Sequence, residues 1–152
     1  MPTFTEHYKY ISDIVRYFTK NQTSEHTTRY ISEIQKTISF YADKYKTIID
    51  HIQTSGLPLP YVWYELANSI FKTCSWINLI VVHGLAIVIV QQILHTEQDI
   101  IEFLTHVARY TFIRAGWWLE EQGGWEMFNI AESSLKWYHR LLPFQNFVRK
   151  TK

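Results

Sequence analysis

The chain has 152 residues, which is long enough for one domain, residues 1–152, with a sizeable hydrophobic core. Its 15 basic and 14 acidic residues nearly cancel, so the charge indicates no nucleic-acid partner. Cys74 is the only cysteine, which excludes a disulfide within the chain and favours a reducing compartment. The first residues show no basic stretch followed by an apolar run, so we expect no signal peptide.

Sequence signals for helices begin at the N-terminus. Thr3 and Glu6 form a capping-box pair, and the helix that they start carries apolar residues on one face as far as Phe18. Beyond a short polar break at 21–28, an apolar seam steps by three and four residues and predicts a single unbroken helix that ends before Gly56. The seam consists of Ile31, Ile34, Ile38, Tyr41, Tyr45, Ile48 and Ile52.

The middle of the chain predicts two more helices. The first covers 61–74, and its predicted buried side consists of Trp63, Leu66, Ile70 and Cys74. Ser75 is a suitable N-cap for the second helix, which is almost entirely apolar from 76 to 94. A helix that is apolar all round lies at the centre of a bundle or in a membrane. Because His83 interrupts the apolar run, which falls short of the ~18–20 residues that a bilayer span needs, we predict a buried central helix.

The last third of the chain predicts a helix, a corner and further helical segments. Thr96 is the expected N-cap of a helix that ends near Ala115. Gly123 can adopt the left-handed conformation that closes a helix, and Gly124 allows the chain to reverse. A short helical segment and an amphipathic helix follow, up to residue 148. The sequence therefore predicts an all-α bundle of seven to eight helices and no strand.

The string around the Gly-Gly corner resembles the second homology region of the Bcl-2 family, whose pattern is roughly W-I-x-x-N/Q-G-G-W-x-x-F. Eleven consecutive positions, 118–128, follow that pattern conservatively. The matching residues are Trp118, Gly123, Gly124, Trp125 and Phe128. The resemblance implies the fold of that family, in which amphipathic helices surround a central hydrophobic helix and leave a groove on the surface.

A second segment resembles the third homology region of the same family. Residues 38–43 have its arrangement of a large apolar residue, three spacers, a small residue and an aspartate. Ile38, Ala42 and Asp43 occupy the matching positions. The fourth region is matched near 10–18 only as an amphipathic helix.

Residues 75–78 align with the first homology region, N-W-G-R, at the start of the predicted central helix. Trp76 is kept, whereas Asn78 replaces the arginine that in the family pairs with an aspartate of the bound helix. A charged hydrogen bond is worth ~1.5–3 kcal/mol and a neutral one ~0.5–1.5 kcal/mol. We therefore expect the aspartate of a ligand to matter less here, by roughly tenfold in affinity.

The resemblance implies a binding protein that needs no cofactor and performs no chemistry. An anti-apoptotic member holds the amphipathic Bcl-2 homology 3 helix of pro-apoptotic Bcl-2 proteins, which are Bax/Bak-type effectors and their activators, in a hydrophobic groove. Occupancy of the groove prevents permeabilisation of the mitochondrial outer membrane. For Trp76, a core position and contact with the ligand are both open. The residues expected to line the groove are Tyr41, Tyr45, Ile48, Ile49, Leu66, Ile70, Ser75, Trp76, Asn78 and Leu79.

Two features favour a viral, anti-apoptotic member. The connection at 21–28 is far shorter than the regulatory loop of cellular survival members, and the sequence has no terminal apolar anchor. Both features resemble the homologues carried by herpesviruses. We therefore expect the protein to be located in the host-cell cytoplasm or at the mitochondrial outer membrane. Whether it associates peripherally with a membrane stays open.

Three alternatives remain. A pro-apoptotic effector would share the fold and permeabilise membranes itself, with the helices over 76–94 and 97–115 as an inserting hairpin. A colicin-like pore bundle would share only that hairpin and would leave the ordered homology-like strings unexplained. An enzyme is a third alternative, because the chain has 7 histidines, but neither the spacing of metal ligands nor a cysteine cluster occurs. We therefore predict no metal site, and we expect His83 to be a satisfied core residue.

Overall fold

A computed structural model describes residues 3–20 and 28–125, which form six helices and no strand. The helices are α1 (Phe4–Lys20), α2 (Thr28–Phe40), α3 (Ala42–Ser55), α4 (Leu59–Ile70), α5 (Trp76–Gln92) and α6 (Glu97–Gln122). The predicted all-α class is confirmed for this part of the chain. The helical segments predicted beyond Trp125 lie outside the described residues.

Helix α5 is the central helix of the bundle, as its sequence predicted. Every residue from Leu79 to Val90 is buried, and the helix packs against all five of the others. Each fully buried Val, Leu or Ile side chain favours folding by about 1.5–3 kcal/mol relative to an exposed position. Burial of the apolar side chains of α5 therefore drives the assembly of the amphipathic helices around it.

Local capping sets the starts of three helices. The Ser75 hydroxyl accepts a hydrogen bond from the N–H of Asn78 (3.1 Å), and Thr96 accepts one from the N–H of Asp99 (3.1 Å). Thr3 does the same for the N–H of Glu6 at 3.2 Å. Each bond satisfies one of the backbone donors that a helix start leaves without a partner. The predicted N-caps at Ser75 and Thr96 are thus confirmed.

The predicted single helix over the apolar seam is wrong, because Tyr41 interrupts it between α2 and α3. Tyr41 has φ −105° and ψ 27°, although its N–H still donates to the Thr37 carbonyl oxygen at 2.9 Å. Ile38 before the break and Tyr45 after it both pack on Gly84 of α5. In a straight helix these two residues would be separated by roughly 10 Å along the axis. Across this break both side chains reach the same point of α5.

Helix α4 ends at Ile70, not at Cys74, and Cys74 is exposed and not buried as predicted. A residue of α6 contacts the C-terminal end of α4. The Arg114 guanidinium donates hydrogen bonds to the Phe71 carbonyl oxygen (3.1 Å) and to Asn68 Oδ1 (2.9 Å). A cation at the carbonyl end of a helix also interacts favourably with its dipole. These contacts fasten the end of α4 to α6.

Helix α6 extends further than predicted. It continues past Ala115 without interruption to Gln122, a total of 26 residues. Gly116 does not break it, and this residue is buried on the core side. The long helix carries Trp117 and Trp118 up to the Gly-Gly corner.

Candidate functional site

The Gly-Gly corner closes α6 with a Schellman arrangement. Gly123 has φ 94° and its N–H donates to the Glu120 carbonyl oxygen at 3.0 Å. The N–H of Gly124, which has φ 96°, donates to the Leu119 carbonyl oxygen at 2.8 Å. A residue with a Cβ in this left-handed region would cost about 1–2 kcal/mol. The expected left-handed position of Gly123 is confirmed, and this geometry explains the glycine pair.

The corner inserts Trp125 into an aromatic cluster between α1, α2 and α5. Its ring stacks on Tyr10 with centroids 4.4 Å apart and planes 14° apart. Tyr30 lies at 5.6 Å, His83 at 5.5 Å and His7 at 6.0 Å from the same ring. Aromatic pairs of this kind contribute ~0.5–1.5 kcal/mol beyond the area that they bury. Trp125 therefore fastens the corner to three helices.

The other tryptophan of the second homology-like motif is placed differently. Trp118 is partly buried on α6, and its ring lies 5.0 Å from that of Trp76 at the start of α5. The two segments that resemble the first and second homology regions thus touch through their tryptophans. Phe128, the last residue of the second motif, lies outside the described residues.

His83 is a satisfied core residue, as predicted. The Thr111 hydroxyl donates to the Val107 carbonyl oxygen (3.0 Å), so it accepts the Nε2–H of His83 at 3.1 Å. The Tyr30 hydroxyl then donates to Nδ1 of His83 at 2.7 Å. Burial, together with neighbouring His7, lowers the pKa of His83 to about 3. The neutral imidazole therefore links α2, α5 and α6, and it is not available as a ligand or a base.

His7 occupies the same cluster without such partners. Its side chain is completely buried, and neither ring nitrogen has a hydrogen-bond partner among the described residues. The ring meets the edges of Phe112 (5.7 Å) and Trp125 (6.0 Å). Burial lowers the pKa of His7, because a charged imidazole is poorly solvated there.

Eight of the ten residues predicted to line a ligand groove are buried in the core: Tyr41, Tyr45, Ile48, Ile49, Leu66, Ile70, Trp76 and Leu79. The other two, Ser75 and Asn78, are partly buried at the start of α5. Nδ2 of Asn78 already donates to the Thr73 carbonyl oxygen at 2.7 Å, which leaves its second N–H for a ligand. In this structure a ligand helix would therefore reach most of the predicted lining only after α3 or α4 had moved away from α5.

An open groove of about 310 Å³ lies beside part of that lining, between the apolar seam of α2 and α3 and the end of α5. Its apolar lining residues, here called the floor, are Ile38, Ala42, Tyr45, Ile49 and Val88. Its polar rim consists of Lys46, Asp50 and Gln53 on α3, with Gln91 and Gln92 on α5. Small-molecule and side-chain sites commonly have this size and this combination of apolar floor and sparse polar groups.

The sequence identified only one wall of this groove. Ile38 and Ala42 belong to the third homology-like motif, and Tyr45 and Ile49 are among the predicted lining residues. The rim residues of α3 are spaced by three and four residues, like the apolar seam beside them. The seam could therefore have been used to predict them. The α5 wall could not, because Val88 looks like any other residue of an apolar helix.

The third homology-like motif lies on both sides of the break at Tyr41. Ile38 packs partly against the core, whereas Ala42 and Asp43 are exposed in the first turn of α3. A carboxylate in that position interacts favourably with the positive end of the helix dipole. Asp43 therefore stabilises the start of α3 next to the groove.

Tyr45 fixes the floor of the groove. Its ring lies over Gly84, and its hydroxyl donates to the Val81 carbonyl oxygen at 3.0 Å. A Cβ at Gly84 would lie 2.6 Å from that hydroxyl oxygen, so the close approach of α3 to α5 requires glycine. Burial raises the pKa of Tyr45 well above its ordinary value, and the phenol therefore stays protonated as a donor.

Within the described part of the chain, no cluster of His, Cys, Asp or Glu side chains could hold a metal ion. No described helix has both the length and the apolar character needed to cross a membrane. Comparison of the chain with family models, with curated proteins and with solved structures found no match.

Proposed function

We propose that this protein is an anti-apoptotic member of the Bcl-2 family, of the type that herpesviruses carry. It would hold the amphipathic Bcl-2 homology 3 helix of pro-apoptotic relatives, including Bax/Bak-type effectors, and so prevent permeabilisation of the mitochondrial outer membrane. It would act in the host-cell cytoplasm or at the mitochondrial surface. The observation that carries the proposal is the open groove, whose floor includes Ile38 and Ala42 of the third homology-like motif.

The contact between the homology-like segments also supports the proposal. Trp76 and Trp118 were singled out by separate resemblances, at the start of α5 and near the end of α6. Their rings lie 5.0 Å apart, so the two segments share one packing unit. Such a contact would be a coincidence if each resemblance had arisen by chance.

The groove suits an amphipathic helix as its occupant. Apolar side chains at i, i+3 or i+4 and i+7 of the ligand would enter above Ala42 and Val88, where each buried side chain contributes about 1.5–3 kcal/mol. The rim offers Lys46 and Asp50, one charge of each sign, to the polar face of the ligand. The groove therefore combines an apolar anchor site with charges that can set the register.

Full engagement of the ligand would require the groove to widen towards α4. Helices α3 and α4 each pack on α5, and any packing of one on the other is sparse. Gly56, with φ 70°, joins them at a corner that can act as a hinge. Movement of α3 or α4 away from α5 about this corner would uncover Ile48, Leu66 and Ile70, which belong to the predicted lining and are now buried.

Calorimetric titration with a panel of pro-apoptotic helix peptides tests the proposal. Each peptide is paired with a version in which the central anchor leucine is replaced by alanine. We expect submicromolar binding of some wild-type peptides and at least a tenfold loss for the anchor variants, because one buried leucine contributes more than 1.4 kcal/mol.

A pair of protein variants locates the binding site. Ala42→Trp fills the groove from an exposed position, whereas Thr47→Trp places the same ring on an exposed position of α3 that does not line the groove. Binding should be lost in the first variant and kept in the second. If no peptide of the panel bound, the proposed function would be overturned. If the protein instead caused leakage of liposomes, the result would favour a pro-apoptotic effector.

A further inference from the structure

Helix α6 exposes two large apolar side chains that the ligand groove does not use. Trp117 is 71% exposed and Ile113 is 66% exposed, more than any other large apolar residue that the structure describes. They are four residues apart, so they adjoin on one side of the helix. Adjoining exposed apolar side chains favour association, because contact with a partner removes them from water.

A charged residue continues the same row at each end. Arg109 precedes Ile113 by four residues, and Glu121 follows Trp117 by four, so all four form one i, i+4 ridge of α6, here called the α6 ridge. Both charged side chains are exposed and form no hydrogen bond or ion pair with the described residues. Glu121 also lies at the carbonyl end of α6, where the helix dipole disfavours a negative charge. It would gain from a cation supplied by a partner.

The α6 ridge is complementary to itself when it is reversed. If a second copy of α6 runs antiparallel with its centre at Ala115, Ile113 meets Trp117 of the second copy and Arg109 meets Glu121 of the second copy. By the same two-fold symmetry, Trp117 meets Ile113 of the second copy and Glu121 meets Arg109 of the second copy. When two helices cross at about 50°, their i, i+4 ridges run side by side, so the four pairs can form together.

We propose that the protein forms a symmetric homodimer through the α6 ridge. A second copy fits this ridge better than a membrane does, because an anionic surface would repel Glu121 at one end. One helical ridge buries less than the roughly 800 Å² per partner of a standard interface, so the dimer is weak, with a dissociation constant in the micromolar range. The proposal is independent of the proposed function, since the ridge does not line the groove.

Sedimentation equilibrium of the full chain over roughly 5–500 µM, a range that brackets a weak interface, tests the dimer. The expected mass rises with concentration above the 18.2 kDa of one chain. Arg109→Glu and Glu121→Arg should each remain monomeric, because each homodimer would then place like charges opposite one another twice. Lys46→Glu, a matched charge reversal on α3, should dimerise like the wild type.

Mixing the two variants gives the most specific result. An equimolar mixture of Arg109→Glu and Glu121→Arg should form a heterodimer, because both charge pairs become attractive again. The Arg109→Glu/Glu121→Arg double variant should recover the homodimer for the same reason. Circular dichroism confirms that each variant is folded, and Trp117→Ser, a change at an exposed position, should abolish the dimer without affecting the helix content.

Three outcomes would overturn the proposal. They are a wild-type chain that stays monomeric over the whole range, a dimer that survives Trp117→Ser, and a mixture of the charge variants that stays monomeric although the wild type dimerises. The second would assign the interface to another surface, and the third would exclude the antiparallel register.

Discussion

Acid should destabilise this protein through His83, and the structure gives the size of the effect. The imidazole is buried and neutral, with hydrogen bonds to Tyr30 and Thr111. Its pKa is about 3 in the folded chain, against an ordinary value of 6.5. The unfolded chain therefore binds a proton in a pH range in which the folded chain does not.

The sign of the effect follows from this difference. Above pH 6.5 the imidazole is neutral in both states, and its contribution to stability is fully present. As the pH falls from 6.5 towards 3, only the unfolded state takes up the proton, so the free energy of unfolding falls by roughly 1.4 kcal/mol per pH unit. Between pH 7 and pH 4.5 this one residue should cost about 3 kcal/mol. That loss is a large part of the stability of a typical domain.

Urea denaturation followed by circular dichroism at pH 7 and at pH 4.5 measures the loss. His83→Gln is the informative variant, because its amide has a donor nitrogen and an acceptor oxygen in place of the two ring nitrogens but does not titrate. The free energy of unfolding of this variant should fall by about 3 kcal/mol less than that of the wild type over the same interval. Some acid sensitivity should persist in the variant, since burial also lowers the pKa of His7.

His51→Gln is the matched control, because His51 is exposed on α3. It should show the same loss of stability with acid as the wild type. If the free energy of unfolding fell equally with acid in the wild type and in His83→Gln, the result would refute the conclusion that His83 is buried and neutral between Tyr30 and Thr111.

Three further predictions concern α5 and the groove. Gly84→Ala should lower the free energy of unfolding by about 1–3 kcal/mol, because the new Cβ meets the Tyr45 hydroxyl at 2.6 Å. Tyr45→Phe should recover part of this loss in the double variant, and strictly additive effects in urea denaturation would contradict the contact. Ser75→Ala should cost about 1 kcal/mol by removing the N-cap of α5, whereas Ser75→Asp should be nearly neutral, and equal costs in thermal denaturation would contradict capping. Replacing the aspartate of a ligand peptide by alanine should weaken binding about tenfold more on an Asn78→Arg variant than on the wild type, as calorimetry would show, and equal losses would contradict the role given to Asn78.

The sequence predicted what depends on local chemistry. The caps at Ser75 and Thr96 and the left-handed Gly123 each need only a few neighbouring residues, and all three are present. The burial of α5 also followed from its composition, because a helix that is apolar on every side leaves no face for water.

Prediction from the sequence failed where the local structure involves contacts with residues distant in the chain. No glycine or proline signals the break at Tyr41, which accompanies the packing of Ile38 and Tyr45 on Gly84, some forty residues away. The early end of α4 is likewise contacted by a residue distant in sequence, Arg114 of α6. The groove escaped prediction because its two walls come from different helices, and only their packing brings them together.

The position of Trp125 has a consequence for the order in which the protein folds. Its ring stacks on Tyr10, so the contact closes a loop of more than one hundred residues between the first helix and the Gly-Gly corner. Contacts so distant in sequence are slow to form, because the chain loses much of its freedom before it gains the contact. During synthesis α1 and α2 leave the ribosome long before Trp125 does, and their shared aromatic site stays incomplete until the corner arrives. The aromatic cluster can therefore close only after residue 125 has been made, and a product that terminates before the corner lacks the ring that completes it.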